Sequence, residues 1–223
     1  MCHRIAPLSL DELEEALTGW NFGRRATVRR GAPVADAYPG SSVPVAVPTY
    51  DKGLQAAVLT WGFVRPFYGE KPLGPKSAST QAPARAPKAP REQLVFNTRL
   101  DTALEQLHSG RGLWADPMHD GRCLVPVRAF YEQSATETVP SPRTGKPVKR
   151  PYRFTLAGHG VFLLAGVAQG GRFSVVTTEP NARVAPVHNR MPLVLGPGES
   201  QAWLAGDFDA LADRSGVELE AQG

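Results

Sequence analysis

Apolar and polar positions change their spacing several times along the chain, and each spacing predicts a different element. In PLSLDELEEALTG, residues 7–19, leucines recur every three or four positions, which is typical of an amphipathic helix. Ser9 and Glu12 are spaced as a capping box at its start, and Leu8 and Leu13 as a hydrophobic staple. This helix would hold the first residues of the chain in place.

Most other apolar segments are short, rich in β-branched residues and bounded by Pro or Gly, which is typical of strands. Such segments are SVPVAVP, LQAAVLTWGFV, RCLVPVRAFYE, the second half of SPRTGKPVKRPYRFTL, GVFLLAGVA and RFSVVTT. The third is predicted to end at Glu132. Short helices are predicted at ALEQLHSG, GESQAWLAG and FDALADRSG. Strands and a few helices that do not alternate predict an α+β fold with a mostly antiparallel sheet.

Length and composition favour one domain over residues 1–223, because 42% of the residues are hydrophobic and can form a core. Pro, Ala, Ser and Lys dominate residues 69–92, where we predict a flexible surface insertion. No run of about 18 apolar residues occurs, so we expect no membrane span. The first residues lack a secretory pattern, and we expect a cytoplasmic monomer.

Charge and cysteine content narrow the chemistry. The net charge is +4, and arginine supplies 19 of the 25 basic residues, which suits phosphate binding but equally fits a GC-rich genome. A basic strip formed by Arg24, Arg25, Arg29 and Arg30 could face phosphates or solvent. Two cysteines without metal-ligand spacing predict neither a disulfide nor a metal site.

Cys2 directly follows the initiator methionine. If Met1 is removed, Cys2 carries a free α-amine and a thiol on adjacent carbons. The amine can attack an aldehyde to give an imine, and the thiol can then close a five-membered thiazolidine with a large effective molarity. The same pair could instead serve as an N-terminal nucleophile in a hydrolase. A small residue with no chemical role is the third interpretation.

Three further motifs carry reactive side chains. Glu132 follows a nearly apolar segment, and burial would make it an acid or base near neutrality. His188 in VHNRMP has a side chain suited to proton transfer. In FNTR, Asn97 can orient a reacting group and Arg99 can hold a phosphate. Each of these residues could also have a purely structural role.

Taken in order, the motifs MCHR, WGF, NTR, RCLVPVRAFYE, TTEPN and APVHNRMP resemble those of the SOS-response-associated peptidase (SRAP) family. The resemblance runs from Met1 to about Leu195. RCLVPVRAFYE is similar to that family's RCLIPADGFYEW. TTEPNARVAPVHNRMPLVL is similar to its TTEANxxxxPIHDRMPVIL, a match in which many positions agree in order.

The resemblance implies a barrel-like core and a sensor of abasic sites in single-stranded DNA, associated with the nucleoid when bound. Family members use the N-terminal cysteine to form a thiazolidine with the aldehyde of the opened deoxyribose, which shields the lesion. The residues at the catalytic positions are Cys2, Asn97, Glu132 and His188. The residues at the DNA-binding positions are Arg4, Arg99, Thr177 and Arg190, and Trp61 is a candidate platform for stacked bases. No metal or other cofactor is implied.

Several positions depart from the family pattern without removing a reactive group. His3 stands in place of Gly, Thr98 in place of Ala, Gln133 in place of Trp and Asn189 in place of Asp. Two other functions remain open: a cysteine peptidase or amidase that uses Cys2 as nucleophile, and a non-covalent binder of single-stranded DNA. The sequence also leaves open whether a junction with double-stranded DNA is preferred.

Overall fold

The computed structural model describes residues 2–19, 35–51, 53–67 and 91–223. Its helices are α1 (Leu10–Gly19), α2 (Leu100–Ser109), α3 (Ala115–Asp120) and α4 (Glu199–Ala205), followed by a 3-10 helix at Asp209–Leu211. Its strands are β1 (Arg4–Pro7), β2 (Ser42–Pro48), β3 (Leu54–Trp61), β4 (Phe63–Phe67), β5 (Arg91–Val95), β6 (Asn97–Arg99), β7 (Arg122–Pro140), β8 (Pro147–Leu156), β9 (Phe162–Gln169), β10 (Arg172–Thr178), β11 (Met191–Pro192), β12 (Val194–Leu195) and β13 (Leu219–Gln222).

One large sheet dominates the fold. Within the described ranges it contains eleven strands, while β4 and β5 form a separate pair. The pairings run from β7 through β9, β10, β3 and β2 back to β7, so that five strands close into a ring. All pairings are antiparallel except those of β10 with β3 and β6. The prediction of an α+β, mostly antiparallel and barrel-like fold is therefore confirmed.

Two apolar clusters fill the structure. The first includes Ile5, Phe130, Phe154 and Phe173, and Cys2 belongs to it. The second lies where the helices contribute their apolar side chains, and its members include Leu13 of α1, Leu100 of α2, Met118 of α3 and Trp203 of α4. Cys2 is therefore a member of the core formed by the sheet rather than of the one formed with the helices.

Helix α1 begins as its sequence predicts. The backbone N–H of Ser9 donates to the Glu12 carboxylate at 2.8 Å, and the N–H of Glu12 donates to the Ser9 hydroxyl at 3.2 Å. Leu8 and Leu13 are both buried, as expected for a staple. Leu10, expected on the buried face, is exposed, and the buried position of the first turn is taken by Glu12.

Strand β7 differs from its prediction, because it does not end at Glu132. It continues to Pro140 and forms a hairpin with β8, interrupted by a register shift between Gln133 and Thr138. Residues 135–140 are mostly exposed and lack apolar alternation, so no hydrophobic pattern marks them as strand. Glu132 consequently lies within a strand, opposite Tyr152 of β8.

Two predictions fall largely outside the described residues. The basic strip at Arg24, Arg25, Arg29 and Arg30 lies outside them, as does the predicted insertion except for its last two positions. Those two, Arg91 and Glu92, are the first residues of β5, so the insertion was predicted to end too late. Within the described ranges, we find no helix with the length and apolarity needed to cross a membrane.

Candidate active site

Pairing of β1 with β7 fixes the position of Cys2. The register places Arg4 opposite Tyr131 and Ile5 opposite Phe130, so the residues before Arg4 run beside Glu132 and Gln133. The Cys2 side chain is fully buried, and its thiol donates to the Arg4 carbonyl at an Sγ–O distance of 3.6 Å. Cys2 is therefore a fixed part of the structure rather than a frayed end.

Asn97 reaches the same point from another strand. Strand β6 runs parallel to β10, with Asn97 opposite Val175, and the Asn97 side chain is nearly buried. Its Nδ2 donates to the Cys2 carbonyl at 2.8 Å across 95 residues of sequence. Its Oδ1 is buried and has no hydrogen-bond partner among the described residues. A buried amide oxygen of this kind is an acceptor available to an incoming N–H or O–H group.

Glu132 is a buried carboxyl that is coupled to Cys2 by charge. Its side chain is 1% exposed, and burial raises its pKa to about 7, while the positive amino terminus of the chain opposes this rise. Burial, with the charge of Glu132 second, also raises the pKa of the Cys2 thiol well above its ordinary value. The two groups are thus electrostatically coupled, and at neutral pH the thiol is protonated while the carboxyl exchanges protons readily.

His188 ends a compact turn that packs against β7. Asn181 begins this turn by accepting the backbone N–H groups of Arg183 and Val184, each at 3.1 Å. The N–H of Ala135 donates to the Val187 carbonyl at 3.0 Å, which ties the turn to the register shift in β7. The Asn181 side chain thereby organises the turn that carries His188.

The His188 ring is half-buried. Its Nδ1 lies 3.0 Å from the carbonyl oxygen and 3.1 Å from the backbone nitrogen of Arg190, so it donates or accepts according to its tautomer. Burial lowers the pKa of His188, and the positive amino terminus, Lys149 and His3 add to the effect. The neutral ring therefore predominates at pH 7.

Carboxylates contact all three arginines predicted to bind DNA. Arg4 donates from Nε to Asp36 at 2.7 Å and lies 4.0 Å from the centre of the Tyr131 ring. Arg99 donates to Asp101 at 2.6 Å, and this hydrogen bond holds the pKa of Asp101 well below its ordinary value. Both of these arginines remain partly exposed at their ion pairs.

Arg190 is the least accessible of the three, with 7% of its surface exposed. It forms ion pairs with Glu179 and, at 3.8 Å, with Asp101, and it donates to the Thr177 carbonyl at 2.9 Å. Asp101 thus links Arg99 to Arg190. Sequence reasoning missed Asp36, Asp101 and Glu179, because only the fold brings Asp36 and Glu179 to their arginines and nothing marked Asp101 as a bridge.

The two remaining predicted residues lie in the interior. Thr177 is fully buried, and its hydroxyl donates to the Thr98 carbonyl at 3.3 Å, so it fixes β10 against β6. Trp61 was predicted to offer an open face to bases, and this is wrong. Its ring is fully buried, lies nearly parallel to Phe173 and donates to the Phe96 carbonyl at 2.8 Å. Trp61 is a core residue.

The structure therefore joins Cys2 and Asn97 by a direct hydrogen bond and couples Cys2 to Glu132 by charge. His188 is connected through the turn that packs on β7. In the part of the chain that the structure describes, no group of three or more His, Cys, Asp or Glu side chains is arranged to hold a metal ion. The arrangement thus places a buried thiol, a carboxyl whose pKa is raised to about 7 and a buried amide oxygen around Cys2.

Comparison with known proteins matches a family over nearly the whole chain. A model of the SOS response associated peptidase (SRAP) family matches residues 1–218. The abasic site processing protein YoaM of Bacillus subtilis (strain 168) is 26% identical over 155 residues, which cover 66% of this chain and 55% of that protein. The abasic site processing protein YoqW of the same organism is 24% identical with the same coverage. The chain thus matches little more than half the length of these curated relatives.

Solved structures share the fold. A phage-related protein from Bordetella bronchiseptica superposes with a TM-score of 0.61 at 22% identity, covering 99% of this chain and 93% of that one. A protein from Bacteroides thetaiotaomicron superposes with a TM-score of 0.58 at 16% identity, covering 100% and 92%. At these identities the likeness concerns the fold alone.

Proposed function

Because the chain belongs to the SOS response associated peptidase (SRAP) family, we propose that it captures abasic sites in single-stranded DNA as a covalent thiazolidine at Cys2. Met1 must first be removed, since its peptide bond makes the Cys2 nitrogen an amide. The printed names of YoaM and YoqW, abasic site processing proteins, support this substrate class. The expected product is a DNA–protein crosslink that shields the lesion.

The hydrogen bond between Asn97 and Cys2 carries the proposal. It clamps the Cys2 carbonyl, so the free α-amine would occupy a fixed position next to the Asn97 side chain. The unpartnered Asn97 Oδ1 is suited to accept a hydrogen bond from that amine or from the hydroxyl of its aldehyde adduct. A purely structural asparagine at this burial would normally have both ends of its amide bonded.

The reaction begins with the amine rather than the thiol. The neutral α-amine adds to the aldehyde carbon of the opened deoxyribose to give a carbinolamine, which loses water to become an imine. The Cys2 sulfur then adds to the imine carbon, and the thiol proton passes to the nitrogen to complete the ring. Burial raises the pKa of the Cys2 thiol, so the sulfur remains protonated until this second step.

Glu132 and His188 serve the proton transfers of these steps. With its pKa raised to about 7 by burial, Glu132 can accept a proton from the Cys2 ammonium and return it to the departing hydroxyl. The largely neutral His188 can donate a hydrogen bond to the ring oxygen as deoxyribose opens and later release or take up a proton.

Arg4, Arg99 and Arg190 would hold the DNA backbone by exchanging carboxylate partners for phosphates. A guanidinium presents the same two-pronged donor to either group. The ion pairs with Asp36 and Asp101 keep Arg4 and Arg99 oriented before DNA arrives. Thr177 helps to position Arg190, because the Thr177 carbonyl accepts a hydrogen bond from its guanidinium.

A peptidase that begins with attack by the Cys2 sulfur is disfavoured by the same chemistry. The thiolate is the effective sulfur nucleophile, and both burial and Glu132 oppose its formation. An amine-first reaction needs no thiolate at the outset. A reaction that begins with the amine therefore indicates DNA capture, whereas one that begins with the sulfur would indicate a peptidase.

Intact mass spectrometry tests the proposal directly. The Met1-free protein incubated with a single-stranded oligonucleotide that contains one abasic site should gain the mass of the oligonucleotide minus one water. Cys2→Ala should form no stable adduct. Cys123→Ala is the matched control, because Cys123 is a buried core thiol and its loss should leave capture intact.

A second arm examines the amine. An uncleaved peptide fused before Cys2 keeps the thiol and the fold but converts the amine into an amide. Capture should then disappear. Undiminished crosslinking by this fusion, or an equally stable adduct of Cys2→Ala, would contradict the thiazolidine proposal.

A further inference from the structure

A groove beside Cys2 has no role in the capture chemistry. The residues that line it come from β1 and the residue before it, from β7 and β8, and from the turn before β2: His3, Arg4, Tyr38, Tyr131, Gln133, Val148, Lys149 and Pro151. His3 follows Cys2 directly, so the groove begins next to Cys2, while Tyr131 and Gln133 lie on either side of Glu132 in β7 and project to the other face of the strand. Its position suits a segment of substrate next to the reacting sugar.

The lining of the groove combines basic and aromatic side chains with the apolar Val148 and Pro151. None of the described side chains that line it is acidic, although Asp36 holds Arg4 at its edge. The Arg4 guanidinium carbon lies 4.0 Å from the centre of the Tyr131 ring, so a cation and an aromatic ring are in contact in the groove. Lys149 and His3 both lower the pKa of His188, so their field reaches the active site. This surface complements an anionic, unpaired strand.

Tyr38 is the exposed aromatic residue of this surface, with 47% of its area open to solvent. Tyr38 begins a turn closed by two hydrogen bonds. Its N–H donates to the Ser41 hydroxyl at 3.1 Å, and the N–H of Ser41 donates to the Tyr38 carbonyl at 2.9 Å. The neighbouring Ala37 exchanges hydrogen bonds with Ile5 of β1 at 3.0 and 2.8 Å. The ring is therefore held on a firm backbone.

Lys149 comes from the extended β7–β8 hairpin. It pairs with Thr138 beyond the register shift, and the same bulged segment is tied to the His188 turn through Ala135. The adjacent Arg150 is held by Glu137 at 3.0 Å, which leaves Lys149 as the hairpin cation that lines the groove.

We propose that this groove binds the nucleotide adjacent to the abasic site, with its base stacked on Tyr38 and its phosphate at Lys149. The inference rests on the proposed function, because it assigns a binding position for the same DNA. It replaces Trp61, which is buried, as the stacking residue. The groove binds intact single strands as well, since stacking and phosphate contact need no lesion.

Binding of an intact single-stranded oligonucleotide, followed by fluorescence anisotropy at several salt concentrations, tests the groove without the capture chemistry. Tyr38→Ala should weaken binding about 5-fold or more, and Tyr38→Phe should bind like the parent protein. Lys149→Gln should reduce the slope of log affinity against log salt by about 0.7. Matched controls are Tyr50→Ala, a fully exposed tyrosine, and Lys146→Gln, farther along the same hairpin; neither lines the groove.

The outcomes separate this inference from the proposed function. If folded Tyr38→Ala and Lys149→Gln bind DNA like the parent protein and still capture abasic DNA, the proposed groove site is refuted and the proposed capture is supported. Selective loss of binding in these variants, without any adduct in the Met1-free protein, would support the groove and overturn the capture. Equal losses in the control variants would also refute the groove, since they would indicate general charge or surface effects.

Discussion

Replacing Glu132 by Gln should make the protein more stable above neutral pH while slowing its chemistry. The pKa of Glu132 rises from 4.5 to about 7 because the side chain is buried. The stabilisation from its neutral carboxyl is fully present below about pH 4.5 and is lost as the pH rises through about 7. At about 1.4 kcal/mol per pH unit, this difference amounts to about 3 kcal/mol.

Gln keeps the shape of the protonated carboxyl and cannot ionise. The free energy of unfolding of Glu132→Gln, relative to the parent protein, should therefore rise by about 3 kcal/mol between about pH 4 and pH 8. Urea denaturation of both proteins at a series of pH values measures this difference, and both must have the same amino terminus. Glu220→Gln replaces an exposed glutamate and should alter stability by no more than about 0.5 kcal/mol at any pH.

The crosslinking rate of the same variant should change in the opposite direction. Loss of a proton-transfer group typically slows a reaction by about 10²–10⁴-fold. Single-turnover capture of abasic DNA measures this rate at each pH. A stability difference that stays constant from pH 4 to pH 8 would refute the buried, weakly acidic carboxyl, and a parent-like rate would remove Glu132 from the mechanism.

Two further predictions follow from contacts outside the reactive centre. Asp101→Asn should increase the affinity for intact single-stranded DNA, because the Asp101 carboxylate competes with phosphate for Arg99 and Arg190. Arg99→Ala should reduce the slope of log affinity against log salt by about 0.7 without lowering the melting temperature. A destabilised Arg99→Ala with an unchanged slope would instead indicate a structural ion pair. Ser9→Ala should lower the free energy of unfolding, measured by urea denaturation, by about 1 kcal/mol and leave capture unchanged. An unfolding free energy equal to that of the parent protein would contradict the capping role. Thr18→Ala, at the other end of α1, is the control.

Local sequence predicted what local interactions determine. The capping box at Ser9 and Glu12 depends on a spacing of three residues, and it forms as predicted. Most strands were predicted because apolar, β-branched runs must be buried on at least one face. Where a strand has no buried face, as in β7 after Gln133, composition carries no signal, and only pairing with β8 reveals it.

Side-chain partners could not be predicted in the same way. Trp61 ends an apolar strand, and the pattern does not distinguish a ring packed on Phe173 from one open to a base. Arg4 lies 32 residues from Asp36, and their contact depends on how β1 is placed. The family motifs singled out Cys2, Asn97, Glu132 and His188 as candidate reactive residues, but the groove at Tyr38 and Lys149 belongs to no motif and emerged only from the fold.

Several unfavourable features coincide at Cys2, and their coincidence is the strongest physical argument for a reactive site there. A carboxyl is buried where its ionisation is costly, an amide oxygen is buried without a partner among the described residues, and a thiol is held in its protonated form. Scattered through a core, each would be an isolated defect. Around one residue, they are a hydrogen-bond acceptor, a carboxyl that titrates near neutral pH and a protonated thiol. Apolar residues of similar size would pack there at lower cost, so stability alone does not account for the arrangement.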